Sequence, residues 1–509
     1  MFKIHTKRLM IVILVLCGIA FSAENPDIFW IYLYNNVSLN DASHIFESYG
    51  EIRVKSKALH AVSLKLHPFT NPAVLETLPF IISIEPVRLM KSIKEPEKMM
   101  TFDKFSQTID PFYGYAFDQL AFLGIPEAHN LGFTGQGVRI GILDSGFKSS
   151  LTVFDHIRNN GRLIAEWDFI NNDNNTEDQQ EQGEPGFYHT HGTGVWSVIG
   201  AHEEGFLVGG AYDAEFVLAK TEVIPTETPI EEDYFAAAIE WFDSLQVDIA
   251  TASLAYMEFD DPDDNYPLSA LDGQTTVVAR ICNWAANRGM IIVNAMGNEG
   301  PGFASLWSPS DSPNVIAVGS VDSDGNVSNF SGRGPTADGR IKPDIAAQGE
   351  SVYRISPTGS MGASNGTSYA TPLITSGIAL IKQIKPFWDV HDILALFEQY
   401  STQSKNNDTG WGIPDFGQII RDLKEKESEP VVVSTFPNPS NPGQGVTILS
   451  PRVVDNQVLT VYNLLGQEIL KMTDSGQEDS IRFYIPPFPF PSGIYLGRTG
   501  GKTVKFTKY

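Results

Sequence analysis

The segment GTSYATP, residues 366–372, lies at the boundary between a predicted loop and a long apolar run. From Tyr369 to Ile384 the apolar residues recur every three or four positions, which predicts a helix and places Ser368 at its N-terminus. Free backbone N–H groups and the helix dipole stabilise negative charge there, and Gly366 leaves room for another backbone to approach. Serine is also a common helix cap, so this segment alone does not distinguish a cap from a nucleophile.

Two earlier segments favour the nucleophile. The run VRIGILDSG, residues 138–146, is a β-branched strand pattern followed by a glycine turn, so Asp144 is expected at the C-terminal end of a strand. In open parallel sheets, functional sites gather at that edge. The second segment, HTHGTGV at 189–195, precedes an apolar helical pattern. The chain therefore presents an acid, an imidazole and a hydroxyl in the order Asp144, His191, Ser368.

In amino-acid sequence and in order along the chain, these segments resemble those of the subtilases, the subtilisin-like serine proteases. The resemblance covers about residues 115–420. The resemblance implies an α/β fold, doubly wound around a mostly parallel sheet. It also implies that Ser368 is the nucleophile, His191 the general base and then acid, and Asp144 the group that orients and stabilises the imidazolium. His189 is the competing histidine, but His191 is the one directly before Gly-Thr. This chemistry requires no cofactor.

A fourth segment, MGNEGPG at residues 296–302, follows a predicted buried strand at 290–295. An asparagine between glycines is usually a turn residue. In subtilases, the corresponding side-chain amide and the backbone N–H of the nucleophile form the oxyanion hole. The resemblance therefore assigns this role to Asn298, next to Gly297 in the substrate cleft.

The resemblance also assigns substrate binding to Ser253, Leu254 and Ala255, at the end of a predicted buried strand at 247–254. In relatives this strand end lines the primary specificity pocket, and glycine commonly stands at the position of Ala255. The methyl group of Ala255 and the ring of Tyr256 are expected to narrow the cleft. The usual broad preference for large apolar side chains is therefore in doubt.

Length, charge and the N-terminus limit the other possibilities. The chain has 509 residues, which suggests two or three domains, and its formal charge of −25 argues against nucleic acid or anionic membrane as partners. Residues 1–23 have the basic start, short apolar run and small residues of a signal peptide. A lipid-attachment box at Cys17 is the alternative. After cleavage only Cys282 remains, so no internal disulfide is expected and its thiol is predicted to be buried.

Residues 24–100 alternate strand and helix patterns in the order β-α-β-β-α-β, the ferredoxin-like arrangement. This region resembles the inhibitor pro-domain that precedes many subtilase catalytic domains, and an unrelated α+β module is the alternative. The segment 91–104 lacks periodicity and is predicted to be a linker, with maturation cleavage between about Met90 and Phe112. The catalytic domain is expected to span 112–424.

Between Asp144 and His191, the segment 171–186 contains five acidic residues: Asp173, Glu177, Asp178, Glu181 and Glu184. Oxygen ligands in such a loop suit calcium, which subtilases often bind, although the spacing is not that of an EF-hand. We expect a solvated acidic loop, and a structural calcium site is the alternative.

After a linker at 424–430, residues 431–509 contain seven short strand patterns separated by turn residues, which predicts a small β-sandwich. The segments FPNP (436–439), VYNLLGQ (461–467) and PSGIY (491–495) resemble the C-terminal sorting domain of type IX secretion cargo. An Ig-like adhesion module is the competing interpretation.

Together these features predict a secreted or cell-surface endopeptidase, exported through the periplasm by the type IX secretion machinery. Its substrates are expected to be proteins or peptides, and its own pro-domain is expected to inhibit it until cleavage. Two alternatives stay open: a processing protease of narrow specificity, and a catalytically silent surface binding protein on a subtilase scaffold.

Overall fold

A computed structural model describes most of the chain in two units, of which the second begins at Arg421. The described residues are 27–87, 109–184, 186–224, 230–258, 265–428, 434–436, 446–451, 458–463, 467–473, 480–485, 493–499 and 502–508. Three predicted features lie wholly or mostly outside these ranges: the signal peptide, the linker at 91–104 and the C-terminal sequence motifs. Within them, no helix has the length and apolarity needed to cross a membrane.

The N-terminal part of the first unit, which we call the N-terminal domain, covers residues 28–87. Its elements are β1 (Ile28–Leu33), α1 (Leu39–Phe46), β2 (Gly50–Ser56), β3 (Ala61–Leu66), α2 (Ala73–Glu76) and β4 (Ile81–Val87). The strands form one antiparallel sheet in the order β2-β3-β1-β4. Phe46, Leu64 and Leu75 are fully buried in a core between this sheet and its two helices. This is the strand and helix order that the sequence pattern predicts.

The remainder of the first unit contains a second, larger sheet. The strands of this part, which we call the larger domain, are β5 (Arg139–Asp144), β6 (Leu163–Asp168), β7 (His202–Glu203), β8 (Leu207–Val208), β9 (Glu215–Lys220), β10 (Ile249–Ala252), β11 (Ile291–Ala295), β12 (Val315–Val321), β13 (Ile345–Gln348), β14 (Val352–Ile355) and β15 (Met361–Ser364). Its helices are α3 (Phe117–Ala121), α4 (Ile125–Asn130), α5 (Asp155–Asn159), α6 (Thr190–Gly200), α7 (Ile230–Ser244), α8 (Val277–Ala286), α9 (Thr367–Ile384) and α10 (Val390–Tyr400), followed by α11 (Phe416–Ser428).

Seven of these strands form a sheet in the order β13-β12-β11-β10-β5-β9-β6, and each adjacent pair is parallel. Strand β5 occupies an inner position, and its pattern RIGILD is buried from the second residue onward. Strands covered on both faces by helices need such continuous apolar runs. The predicted fold class, a doubly wound α/β domain with a mostly parallel sheet, is confirmed.

Helix α9 is the most deeply buried helix of this domain: nearly all of its residues are inaccessible to solvent. The hydroxyl of Thr375 donates a hydrogen bond to that of Thr251 on β10 (2.9 Å). Gly377 lies so close to Phe416 that an added Cβ would stand 2.1 Å from the ring. Helix α9 is therefore held from several sides, which gives the residues in its first turn a rigid base.

The N-terminal domain packs against α7 and α8 of the larger domain. Trp30 and Val87 share one apolar cluster with Phe235 of α7 and Val277 of α8. Because these side chains are buried together, the two domains share an apolar cluster in addition to the core that the N-terminal domain has between its sheet and helices.

The second unit consists of short antiparallel strands: β16 (Ser434–Phe436), β17 (Val446–Pro451), β18 (Val458–Asn463), β19 (Glu468–Thr473), β20 (Ser480–Ile485), β21 (Gly493–Thr499) and β22 (Lys502–Lys508). They form two sheets, in the orders β16-β17-β20 and β19-β18-β21-β22. All seven predicted strands are present. The predicted linker at 424–430 is wrong for residues 424–428, because α11 continues to Ser428 and keeps them helical.

Candidate active site

Asp144 and His191 are in direct contact. Asp144 is the last residue of β5 and is completely buried, while His191 is the second residue of α6. The Nδ1 atom of His191 lies 2.8 Å from Oδ1 and 3.0 Å from Oδ2 of Asp144. A carboxylate only accepts hydrogen bonds, so the proton of this contact is on Nδ1, and Nε2 is the ring nitrogen that can act as a base. Ser145 also donates to Asp144 from its backbone N–H (2.7 Å).

Ser368 lies in the first turn of α9, after Gly366 at the N-cap position. Gly366 has a φ of 148°, a backbone conformation that favours glycine. The hydroxyl of Ser253 donates to the carbonyl of Ser368 (2.8 Å), and the hydroxyl of Ser368 lies 3.4 Å from the carbonyl of Ser253. The ring of the next residue, Tyr369, lies 5.8 Å from the ring of His191, so α6 and α9 meet at this point.

Asn298 is oriented by Thr367. Its Oδ1 accepts hydrogen bonds from the backbone N–H (2.9 Å) and the hydroxyl (3.0 Å) of Thr367, which directs the amide nitrogen away from that contact. A Cβ placed on Gly366 would stand 3.6 Å from the backbone nitrogen of Ser368 and 3.7 Å from Nδ2 of Asn298. Two N–H donors therefore border one small space beside the serine, an arrangement that suits an oxyanion.

These residues line one cavity of about 500 Å³, within the size range of ligand-binding clefts. Asp144, His191, Ser368 and Asn298 all contribute to its lining. The predicted substrate-binding residues, Ser253, Leu254, Ala255 and Gly297, contribute as well. All eight residues that the sequence predicts for the site thus line one cavity.

The expectation for Tyr256 is wrong. Its ring is 1% exposed and packs against Phe235 in the apolar core, so it does not narrow the cleft. Its hydroxyl instead donates a hydrogen bond to Glu222 (2.8 Å), whose side chain lines the cavity. The ring turns inward because β10 ends at Ala252 and residues 253–255 already form the cleft wall.

Comparison with known protein families supplies the decisive observation: residues 135–412, more than half of the chain, match the family described as the subtilase family, peptidase S8. The chain belongs to the subtilase family. The matched region contains Asp144, His191, Asn298 and Ser368.

Individual relatives agree with this assignment. The chain is 30% identical over 264 residues to subtilisin Savinase of Lederbergia lenta, covering 52% of this chain and 82% of that protein. It is 30% identical over 264 residues to an alkaline protease of Alkalihalobacillus alcalophilus and 28% identical over 257 residues to the human membrane-bound transcription factor site-1 protease. The matches span 52% and 49% of this chain and only 58% and 21% of those two relatives.

The competing histidine of this subtilase, His189, has a different environment. Its Nδ1 accepts a hydrogen bond from the backbone N–H of Asp178 (2.8 Å) and lies 3.3 Å from that residue's carboxylate. Burial lowers the pKa of His189 to about 4 and raises the pKa of Asp178 to about 6. His189 is therefore neutral at pH 7 and holds the loop that precedes α6. Cys282 is also away from the cleft, fully buried in α8, and burial raises the pKa of its thiol.

The acidic segment at 171–186 is not simply solvated, as the sequence suggests. Lys220, fully buried at the end of β9, lies 2.5 Å from a carboxylate oxygen of Glu184 and 3.0 Å from one of Asp168. Asn171 donates to both carboxylates (2.9 and 3.0 Å). No group of three or more His, Cys, Asp or Glu side chains within the described residues is arranged to hold a metal ion. The ammonium of Lys220 thus lies between Glu184 of this segment and Asp168 of β6.

Sequence reasoning missed three contributors to the cleft. Thr367 belongs to the segment around the serine, yet nothing in its pattern shows that it orients Asn298 from 69 positions away. Glu222 and Glu231 line the cavity, although they are nearly inaccessible. The available signal is a charged residue close to the end of a buried strand, since Glu222 stands two residues after β9.

Proposed function

We propose that this subtilase is a serine endopeptidase that hydrolyses peptide bonds through an acyl-enzyme intermediate. The observation that carries the proposal is the contact of a completely buried carboxylate, Asp144, with Nδ1 of His191 in the cleft that Ser368 also lines. This contact holds the imidazole in the tautomer that a general base requires.

In the proposed reaction, Nε2 of His191 takes the proton of the Ser368 hydroxyl as its oxygen attacks the substrate carbonyl. The amide of Asn298 and the backbone N–H of Ser368 donate to the developing oxyanion. His191 then protonates the leaving amine, and Asp144 stabilises the imidazolium throughout without taking its proton. Water attacks the acyl-enzyme by the reverse sequence, with His191 again as base.

The test is labelling of the purified chain with a fluorophosphonate probe, followed by mapping of the modified residue. We expect modification at Ser368 and hydrolysis of casein, and we expect both to disappear in the Ser368→Ala variant. Casein hydrolysis that persists in Ser368→Ala would contradict the proposal, and absence of labelling in a folded parent protein would favour a catalytically silent scaffold.

We further propose that the N-terminal domain is an inhibitory pro-domain. Its position on α7 and α8 supports this, since polar contacts add to the shared core. The carboxylate of Glu240 accepts hydrogen bonds from the backbone N–H groups of Lys57 (3.1 Å) and Ala58 (3.3 Å). Arg280 lies 3.1 Å from Glu85. Side chains of the larger domain thus cap backbone groups of the smaller one, which suits a domain that serves as a folding template.

N-terminal sequencing of the exported protein tests this part. We expect a mature chain that starts between about Met90 and Phe112 in the parent, and an uncut chain in Ser368→Ala because maturation needs its own activity. A parent protein that still begins near Glu24 would contradict the pro-domain assignment.

For localisation, we propose export and sorting through the C-terminal unit, residues 431–509, by type IX secretion. The supporting observation is that the seven strands of this unit pair into two antiparallel sheets, as a small sandwich module requires. Deletion of 431–509 is expected to leave active enzyme in the periplasm of the native host. Unchanged delivery to the outside would contradict the sorting role.

A further inference from the structure

One arginine of the larger domain is enclosed between the helices that carry the site. Arg354, on β14, is fully buried, and its Nε donates a hydrogen bond to the hydroxyl of Ser364 (3.0 Å). Its two terminal nitrogens have no hydrogen-bond partner within the described ranges. A buried charge without a counter-charge lowers the stability of the fold, so stability alone does not account for Arg354.

Three other arginines also have one buried nitrogen without a hydrogen-bond partner in the described part of the chain. Each of them is paired with a carboxylate: Arg280 with Glu85 (3.1 Å), Arg333 with Asp408 (3.0 Å) and Arg340 with Asp338 (2.7 Å). Their side chains are also 24–29% exposed. The guanidinium of Arg354 is therefore more enclosed and less compensated than that of any of these three.

The guanidinium of Arg354 lies over the ring of Tyr369, with Cζ 5.9 Å from the ring centroid, which is within the range of a cation–π contact. Both side chains pack against Gly194 of α6. A Cβ built on Gly194 would lie 3.0 Å from Cδ of Arg354 and 3.5 Å from Cε1 of Tyr369. Gly194 follows His191 by about one helical turn. Strand β14 and helices α6 and α9 thus meet at one contact close to His191.

Tyr369 connects this contact to both reacting groups. Its backbone directly follows Ser368 in the first turn of α9, and its ring lies 5.8 Å from the ring of His191, tilted by 57°. This is the separation of an attractive aromatic pair. The contacts that restrict rotation of the His191 imidazole therefore include the ring of Tyr369 as well as the carboxylate of Asp144.

We propose that Arg354 is a positioning residue of the active site, which acts through Tyr369 on the orientation of the His191 imidazole. This inference rests on the proposed endopeptidase function and names a further residue on which that activity depends. The attraction between the guanidinium and the face of the ring holds Tyr369 in place, and Tyr369 in turn limits movement of the imidazole. Catalysis depends on this placement, because a shift of about 1 Å can lower the rate about 100-fold.

The first test compares the parent with Arg354→Met, which keeps an unbranched side chain and removes the guanidinium. On a quenched peptide, we expect kcat of the mature enzyme to fall about 10- to 100-fold with little change in KM. The thermal midpoint should equal or exceed that of the parent, because a buried charge without a counter-charge is removed. Arg288→Met removes an exposed guanidinium that lies over Trp284 (5.0 Å), and this matched control should leave kcat unchanged.

Two further measurements separate positioning from a general structural role. Tyr369→Leu should lower kcat by a similar factor, and Arg354→Met should add no more than about twofold in that background, because both act through the same ring. In the Ser368→Ala background, the NMR signal of the His191 Nδ1 proton should broaden in Arg354→Met, since the imidazole then moves. Tyr369→Leu alone decides the matter if Arg354→Met fails to fold.

The outcomes separate this proposal from the endopeptidase proposal. A parent that is labelled at Ser368 by the fluorophosphonate, and whose kcat is retained in Arg354→Met or in Tyr369→Leu, overturns the positioning role and leaves the endopeptidase function standing. Independent losses that multiply fully in the double variant, or a His191 signal that stays sharp in Arg354→Met, also overturn the positioning role. A parent that is neither labelled at Ser368 nor active on any peptide overturns both proposals.

Discussion

Two carboxylates at the same edge of the central sheet, Asp144 and Asp168, have different partners. Strands β5 and β6 both pair with β9, and in each case the aspartate stands in register with Lys220. Asp144 contacts the imidazole of His191, whose side chain is 23% exposed. Asp168 contacts the ammonium of Lys220, which is completely buried.

The difference shows what distinguishes a catalytic pair from a structural one at this edge. An imidazole exchanges its proton near neutral pH, and His191 reaches the cleft, so the Asp144 pair can take part in proton transfer. The ammonium of Lys220 is completely buried in contact with Asp168 and Glu184, so it does not reach the cleft. The first arrangement is expected to control rate, and the second to control stability.

The Asp144→Asn substitution, which tests the catalytic pair, is expected to have the largest effect, and that effect is on kcat. The amide cannot stabilise the imidazolium and favours the wrong tautomer of His191, so kcat should fall about 10⁴-fold. The thermal midpoint should change by no more than a few degrees. Peptide hydrolysis and calorimetry on one preparation check both. A variant that loses stability in proportion to activity would remove the distinction between the two pairs.

Lys220→Met tests the other arrangement. Loss of the ammonium leaves Asp168 and Glu184 buried without a counter-charge, which should lower the free energy of unfolding by about 3–5 kcal/mol. Fluorophosphonate labelling of the protein that remains folded should proceed at nearly the parent rate. Adding Asp168→Asn to Lys220→Met should restore part of the stability, because one uncompensated charge is then removed. Denaturant titration provides the measurement, and no recovery in the double variant would contradict the electrostatic explanation.

Glu232, at the start of α7, shows what a buried carboxyl does without a close cation. Burial raises its pKa to about 8, and Tyr266 donates a hydrogen bond to it (2.8 Å). A raised pKa stabilises the folded state below the ordinary value near 4.5, and this stability is lost as pH rises through about 8. The free energy of unfolding of Glu232→Gln should therefore match that of the parent near pH 4.5 and exceed it by roughly 3–5 kcal/mol at pH 9.

Thermal melts between pH 4.5 and 9 check this prediction, with Ser368→Ala as the background to prevent self-cleavage. An advantage of Glu232→Gln that is the same at every pH would show that packing, rather than ionisation, is responsible.

Chelation has the smallest expected effect. Lys220, Asn171 and the backbone N–H of Gln179 already satisfy Glu184, so EDTA should shift the thermal midpoint of the chain by less than about 2 °C. A large fall that added calcium reverses would show that the segment 171–186 binds this ion in addition to its contact with Lys220.

By itself, the sequence determined the fold class and singled out eight of the residues that line the candidate site. The apolar patterns predict β5 and α9, because a buried strand or helix needs apolar residues on its buried faces. Sequence motifs identify Asp144, His191, Asn298 and Ser368. These are local signals: each lies within about ten residues, so no long-range contact is needed to recognise it.

The tertiary structure alone decided the partners of charged and polar groups. Tyr256 turns into the core and donates to Glu222, and Thr367 orients Asn298. Lys220 pairs with Glu184 of the segment that the sequence predicts to be a solvated acidic loop. Such pairings join residues tens of positions apart, where no periodicity connects them. They depend on which strand ends are adjacent in the sheet, and only the folded chain specifies that adjacency.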